Sequence, residues 1–336
     1  MKLYNETKMK KILIDNRWSG SGGIGTFSEQ INAINNYSDA GFQGEPYSPL
    51  DCVKTTLKLF SKKGRVIFFP GYIPPLFSRE PYVFTIHDLN HIDRSENSSF
   101  FKRIFYRFVI LNGCKKAQLI FTVSEFSKKR IVEWSGVDAN KVINVGNGVS
   151  EDFTPVGDTL NFPFDYFLCV SNRKAHKNEF GTLAAFKQAN LPEHVKLLFT
   201  GKATEEIERK IVELGLSDRV VFTGYIESEA LPKLYRGARA LIFVSLYEGF
   251  GLPVVEAMAS GVPVITSHTT SLGEVAGDAA QLVDPENIGE IAGVMTKVNH
   301  DEGLRAQMRQ AGLQRAKKYS WNMTAKQVDE QLNKIL

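Results

Sequence analysis

Eleven short apolar runs mark this chain, from KILID at 11–15 to AQLV at 280–283. Between them come RVIFF (65–69), YVFTI (82–86), QLIFTV (118–123), KVINV (141–145), YFLCV (166–170), VKLLFT (195–200), RVVFTG (219–224), ALIFVS (240–245) and VPVIT (262–266). The runs are continuous rather than alternating, so each reads as a strand buried on both faces. Helical periodicity fills most of the intervals, at 125–134, 178–189, 204–215, 228–238 and 286–299. Strand and helix in alternation mean parallel sheets covered by helices, an α/β protein. At 336 residues the chain is long enough for two domains. A stretch rich in Gly, Pro and Asp, GNGVSEDFTPVGDTLNFPFD (146–165), lacks helical periodicity and divides the runs into two groups. The expected domains are 1–155 and 156–319, followed by a helix at 320–336.

Three cysteines, Cys52, Cys114 and Cys169, are scattered and show no C-x-x-C spacing. Free buried thiols, a reducing cytoplasmic setting and no zinc site are the expectation. MKLYNETKMKK has no apolar core for a signal peptide, and residues 1–8 read as an extension before the first strand. No run reaches the length of a membrane span. A net charge of +4 is too small to argue for nucleic acid. Its distribution says more, because residues 100–143 carry nine Lys or Arg against three acids. Within them FFKRIFYRFVILNGCKK mixes aromatics with bases. Two readings stand: an ordinary helix with a basic solvent face, or a helix that lies on a membrane surface.

Gly20, Gly22 and Gly25 in SGSGGIGT fit the G-x-G-x-x-G spacing of dinucleotide-binding loops. That fingerprint needs its strand to run straight into the glycines, and an acid about 20 residues further on at the next strand end. Here Asn16, Arg17, Trp18 and Ser19 intervene, and Glu45 sits in the loop-like FQGEPYSP. An NAD-dependent oxidoreductase is therefore a minor alternative.

The most informative segment is FVSLYEGFGLPVVEAMASGVPVITS (243–267). A strand ends near Ser245, the turn EGFG follows, and a helix opens at Leu252–Pro253. Proline suits the first helical turn because its missing N–H has no partner there. The N–H groups of Phe250, Gly251 and Leu252 are left free, with the helix dipole behind them, as a site for phosphate. Two carboxylates flank it, Glu248 at the strand end and Glu256 inside the helix.

EGFGLPVVEAMASGVPVITS resembles the donor-site motif of the GT4 family of retaining glycosyltransferases, which have the GT-B fold. Further segments agree in order: SGGIGTF (21–27), TIHDL (85–89), FTVSEFSK (121–128), NVGNGV (144–149), VSNRKAHKN (170–178), LFTGK (198–202), GYIESEALPKLYRGARALIFVS (224–245), TSLGEVAGDAA (270–280) and YSWNMTA (319–325). The resemblance implies two Rossmann-like domains facing across a cleft. The N-terminal one would take the acceptor and the C-terminal one the nucleotide sugar. The last helix would pack back on the N-terminal domain.

It also implies roles. Glu256 binds ribose hydroxyls, Glu248 contacts the transferred sugar, and the 250–252 amides lie near the diphosphate. Arg173 and Lys177 match the basic pair that clamps that diphosphate. His87 stands next to the reacting sugar, bonding the sugar or its phosphate, and Asp88 orients its loop. Gly22, Gly23 and Gly25 match a loop that approaches donor phosphates and acceptor, which leaves Gly20 incidental.

The implied enzyme is a hexosyltransferase needing no metal or other cofactor, with GDP-mannose as the first choice of donor. It resembles bacterial mannosyl- and rhamnosyltransferases of surface polysaccharide and O-antigen synthesis. The acceptor would be a saccharide, lipid-linked, met at the inner face of the plasma membrane. A sugar-nucleotide epimerase or hydrolase on the same fold is the nearer alternative.

Overall fold

The computed structural model describes residues 12–20, 22–48, 50–94 and 99–336. Lys11 of the first run, Ser21 of the glycine stretch and the extension 1–8 lie outside the described residues. The chain forms two compact units. One runs to Gly148 and takes in Ser320–Leu336; the other is Val149–Tyr319. The break falls after Gly148 rather than after residue 155.

The first unit is a parallel sheet of β1 (Ile12–Ile14), β2 (Ser38–Asp39), β3 (Val66–Phe69), β4 (Tyr82–Thr85), β5 (Leu119–Thr122) and β6 (Val142–Asn144), in the order β2-β1-β3-β4-β5-β6. Its helices are α1 (Gly22–Asn35), α2 (Asp51–Leu59), α3 (Asn90–Asp93), α4 (Phe100–Phe105), α5 (Leu111–Lys116) and α6 (Glu125–Ser135). A π turn, Tyr106–Ile110, joins α4 to α5. Ile67, Phe69, Phe84, Ile110, Ile120 and Ile131 meet in the core, as strands buried on both faces require.

Every expected strand is present, with ends shifted by up to two residues. The strand not foreseen is β2, two exposed residues with no apolar signal to read.

The second unit contains β7 (Asp165–Cys169), β8 (Val195–Phe199), β9 (Val220–Phe222), β10 (Ala240–Phe243), β11 (Val264–Ser267) and β12 (Gln281–Val283). They are parallel, in the order β12-β11-β10-β7-β8-β9. Around them lie α7 (Glu179–Gln188), α8 (Glu205–Glu213), α9 (Leu231–Arg236), α10 (Leu252–Ala259), α11 (Thr270–Ala276), α12 (Ile288–His300) and α13 (Glu302–Ala316).

The last helix, α14 (Trp321–Asn333), belongs to the first unit. Its Trp321 ring lies 6.4 Å from that of Phe27 on α1. Asn35 Nδ2 donates to Ala325 O at 2.9 Å, and the Tyr37 hydroxyl to Asp329 at 3.1 Å. Gly148 lets α14 in, because a Cβ there would stand 2.2 Å from Trp321 N.

Both sheets have a point where the winding reverses, between β1 and β3 in the first unit and between β7 and β10 in the second. Helices leave in opposite directions there, which opens a crevice beyond the strand carboxyl ends. The loops after those four strands are where ligands of such sheets bind.

Candidate active site

In the second unit the loops after β7 and β10 carry Arg173, Lys177, Glu248 and the 250–252 turn. Leu246 N–H donates to His176 O at 2.7 Å, which ties the two loops together. Lys177 Nζ stands 2.7 Å from Glu248 Oε1, and both side chains are about nine-tenths buried. The ammonium also lies 4.8 Å from the centre of the Phe243 ring. A cation and a carboxylate held in a half-dry crevice are a pair that a polar ligand can enter by exchanging partners.

The turn after β10 follows the expected geometry. Gly251 is in the left-handed region, φ +99°, and α10 begins at Leu252 with Pro253 in its first turn. A Cβ on Gly251 would also meet Leu272 Cδ2 at 2.5 Å. Among the described residues, the N–H groups of Phe250, Gly251 and Leu252 have no hydrogen-bond acceptor. Three such donors at a helix N-terminus suit an anion. The Phe250 side chain points inward, edge-on to Tyr319 at 5.4 Å.

Hydroxyls from the end of β11 and the start of α11 hold this turn, and the sequence reading missed all of them. Ser271 Oγ donates to Glu248 O at 2.9 Å and to Phe250 O at 3.2 Å. Ser267 Oγ donates to Ser245 O at 2.6 Å. Glu248 N–H donates to Thr270 Oγ1 at 3.3 Å. Thr270 holds φ +58°, a costly conformation for a β-branched residue.

Glu256 lies in the middle of α10, half-buried, and accepts a 2.7 Å hydrogen bond from the Tyr235 hydroxyl on α9. Burial pushes its carboxyl up to about 7, and the Tyr235 bond offsets only part of that. Tyr235 was not foreseen. It is the largest fully buried side chain, and its hydroxyl needs a partner.

Arg173 departs from expectation. Its backbone is left-handed, φ +64°. The guanidinium pairs with Glu179 and donates to Thr200 O, and its Nε donates to Lys202 O at 2.9 Å. Its carbon sits 5.3 Å and 5.1 Å from the Phe199 and Phe222 ring centres. Three of its five donors and its apolar face are therefore committed within the protein. In this structure Arg173 braces the loop after β7, while among the described residues Lys177 and the α10 amides keep no such contacts to the β8 and β9 side of the sheet. Spacing in NRKAHK could not separate the two cations, because a left-handed residue turns Arg173 away from its neighbours.

In the first unit, His87 follows β4 and Gly22–Gly25 follow β1. His87 Nε2 lies 2.9 Å from Pro70 O. A carbonyl only accepts, so Nε2 carries the proton. Burial lowers the ring to about 4. His87 is thus neutral near pH 7, with Nδ1 as an acceptor. With Nε2 committed to Pro70, Nδ1 is suited to accept from a hydroxyl and not to hold a phosphate oxygen, which needs a donor. Phe27 meets the ring edge-on at 5.1 Å. Asp88 Oδ1 accepts Asn90 N–H at 2.9 Å, at the start of α3.

The glycines divide by role. Gly22 and Gly23 are exposed, Gly22 at φ +59° with nothing near its missing Cβ, open to a ligand. Gly25 is buried, and a Cβ there would stand 2.8 Å from Trp18 O and 2.9 Å from Gly20 N. Internal packing alone therefore requires a glycine there. Gly20 is not incidental: it has φ +76° and donates to Glu29 at 2.9 Å.

The residues that interrupted the dinucleotide pattern are structural too. Arg17 pairs with Asp15 at 2.8 Å and Asp51 at 2.6 Å, all three buried or nearly so. Trp18 packs on Gly71, where a Cβ would stand 2.1 Å from the indole. Among the described residues no cluster of His, Cys, Asp or Glu could hold a metal ion, and no helix is long and apolar enough to cross a membrane.

The family model for glycosyl transferases group 1 matches residues 160–315, and that for glycosyltransferase family 4 matches 46–153. The chain is 30% identical to O-antigen chain mannosyltransferase B of Escherichia coli, over 74% of this chain and 69% of that one. It is 28% identical to the serotype-specific mannosyltransferase WbdA of Escherichia coli, over 63% of this chain but only 28% of that longer protein. Sucrose-phosphate synthase from Thermosynechococcus elongatus has the same fold, with a TM-score of 0.81 at 19% identity over 97% of this chain and 99% of that one. That fold is the GT-B fold expected from the motifs. Matched on both units and along most of its length, the chain belongs to the group 1/family 4 glycosyltransferases.

Proposed function

We propose that this glycosyltransferase moves mannose from GDP-mannose to a lipid-linked saccharide during assembly of a bacterial surface polysaccharide. The observation that carries the reading is the Lys177–Glu248 pair beside three unsatisfied amides at the start of α10. A diphosphate fits the amides and Lys177, and a sugar hydroxyl fits Glu248 once Lys177 turns to phosphate. Glu256 takes the ribose hydroxyls. His87 Nδ1 accepts a hydroxyl of the transferred sugar. Mannose is supported by the names of the relatives in Escherichia coli. The proposed setting is the cytoplasmic face of the inner membrane.

The sugar C1–O bond breaks with its electron pair leaving on the diphosphate. The acceptor oxygen attacks the same face of the oxocarbenium-like sugar, and its proton passes to the departing phosphate oxygen, so configuration is retained. Neither glutamate serves as a nucleophile in this scheme, and trapping a glycosyl–enzyme adduct would overturn it. Lys177 and the amides supply the positive charge, so we expect no metal requirement; loss of activity in excess chelator would refute that.

A panel of GDP-, UDP-, dTDP- and ADP-sugars with NAD(H), read by ligand-induced stabilisation, tests the donor. GDP-mannose should stabilise most, and stabilisation by NAD(H) alone would overturn the reading.

A further inference from the structure

The helical segment from Phe100 to Lys116 buries only one face. Phe100, Phe101 and Phe108 are 71%, 81% and 67% exposed. Lys102, Arg103, Arg107, Lys115 and Lys116 lie along it, and no acid falls between Ser99 and Lys116. The π turn explains how one helix carries both surfaces. It turns Tyr106 and Ile110 into the core, where Tyr106 stacks on Tyr72 at 6.2 Å, while Ile104, Arg107 and Phe108 stay outside.

A second helix repeats the pattern. On α2, Cys52, Thr55 and Leu59 face inward, while Val53, Lys54, Leu57 and Lys58 are exposed. Leu50 and Phe60 at its ends are exposed as well.

Two links join the two helices, and a third ties α2 to the 76–79 loop between them. Cys52 of α2 and Phe105 and Val109 of the long helix pack on one cluster with Trp18 and Ile73. Thr56 Oγ1 accepts the N–H of Leu76 at 2.9 Å, and Lys116 Nζ donates to Leu76 O at 3.2 Å. Phe60 meets Phe77 at 6.2 Å, with Arg79 5.4 Å over the Phe60 ring. The outer faces therefore form one surface of aromatic and aliphatic side chains set among bases. Among the described residues Lys54, Lys102, Arg103 and Arg107 have no carboxylate partner.

We propose that α2, the 76–79 loop and the Phe100–Lys116 helix together dock on an anionic lipid bilayer. Apolar rings enter the boundary between headgroups and acyl chains, and the bases meet headgroup phosphate. A second copy of this chain would bring like charge against like charge, which argues against dimerisation here. The surface deepens the lipid-linked acceptor reading and rests on it for its purpose, but the docking itself depends only on the first unit.

The test uses the whole chain with phosphatidylcholine vesicles, with and without phosphatidylglycerol. The protein should co-sediment only with the anionic vesicles, and added salt should release it. F101S/F108S, R103E/R107E and L57S/K54E should each weaken binding about tenfold or more, with unfolding transitions unchanged. Transfer to a short soluble acceptor should be unaffected in all three, so lost docking and lost catalysis are separable. Equal binding to both vesicle types, or wild-type binding by F101S/F108S and R103E/R107E, overturns the proposal. Wild-type binding by L57S/K54E alone overturns the joint surface. A dimer in sedimentation that these substitutions dissolve assigns the face to a second copy instead.

Discussion

Lys177 Nζ and Glu248 Oε1 are 2.7 Å apart, although 71 residues separate them in the chain. Each is the only ion-pair partner of the other among the described residues. Removing either leaves the other charge buried and alone. K177A or E248A should each cost about 3–5 kcal/mol of stability, while K177A/E248A should cost less than the sum of the singles. Denaturant unfolding of the four proteins measures the coupling, and additivity would show the pair to be idle. Activity should fall by about a hundredfold or more in K177A and stay low in the stable double variant.

Glu256 should make donor binding pH-dependent. Its carboxyl is raised to about 7 by burial, while an unfolded glutamate titrates near 4.5. Between those values the folded state holds more protons than the unfolded one. Its contribution to stability is therefore greatest below 4.5 and declines as pH rises toward 7. Ribose hydroxyls favour the ionised form, so donor affinity should rise with pH through about 7, with proton release on binding. Calorimetry in buffers of different ionisation enthalpy reads that proton. E256Q should bind weakly and without the pH slope; the same slope in E256Q would assign it to another group.

His87 should stay neutral where an ordinary histidine titrates. Burial holds it near 4, below the unfolded value of 6.5. Its effect on stability is full above 6.5 and is lost as pH falls from there toward 4. Ring nitrogen shifts at pH 6 should report a proton on Nε2 and none on Nδ1. A doubly protonated ring at that pH would contradict the geometry. H87A should lower kcat/KM by removing the Nδ1 acceptor.

Arg173 should behave as a brace. R173A leaves the Glu179 carboxylate, 7% exposed, without its cation, and stability should drop by about 3–5 kcal/mol. In the folded fraction the donor KM should change little. A variant of normal stability with a KM raised tenfold or more would restore Arg173 to the diphosphate.

Local pattern was enough for much of this. Continuous apolar runs announce buried parallel strands because such strands meet helices on both sides. Gly251 and Pro253 announce the start of α10 because a left-handed turn and a missing N–H are demands made within a few residues. Those signals led to both units and to the turn before α10.

Other features depended on what the fold brings near. Arg173 and Lys177 lie four positions apart, yet one meets Glu179 and the other Glu248. Tyr235 reaches Glu256 across two helices, and Pro70 sets the tautomer of His87. Gly25 is required by Trp18 and Gly20, which crowd the place of its Cβ. Which charge is neutralised, which carboxyl is raised and which glycine is crowded are set by neighbours distant in sequence. Periodicity and spacing report only a residue's own stretch of chain, so those outcomes belonged to the tertiary structure.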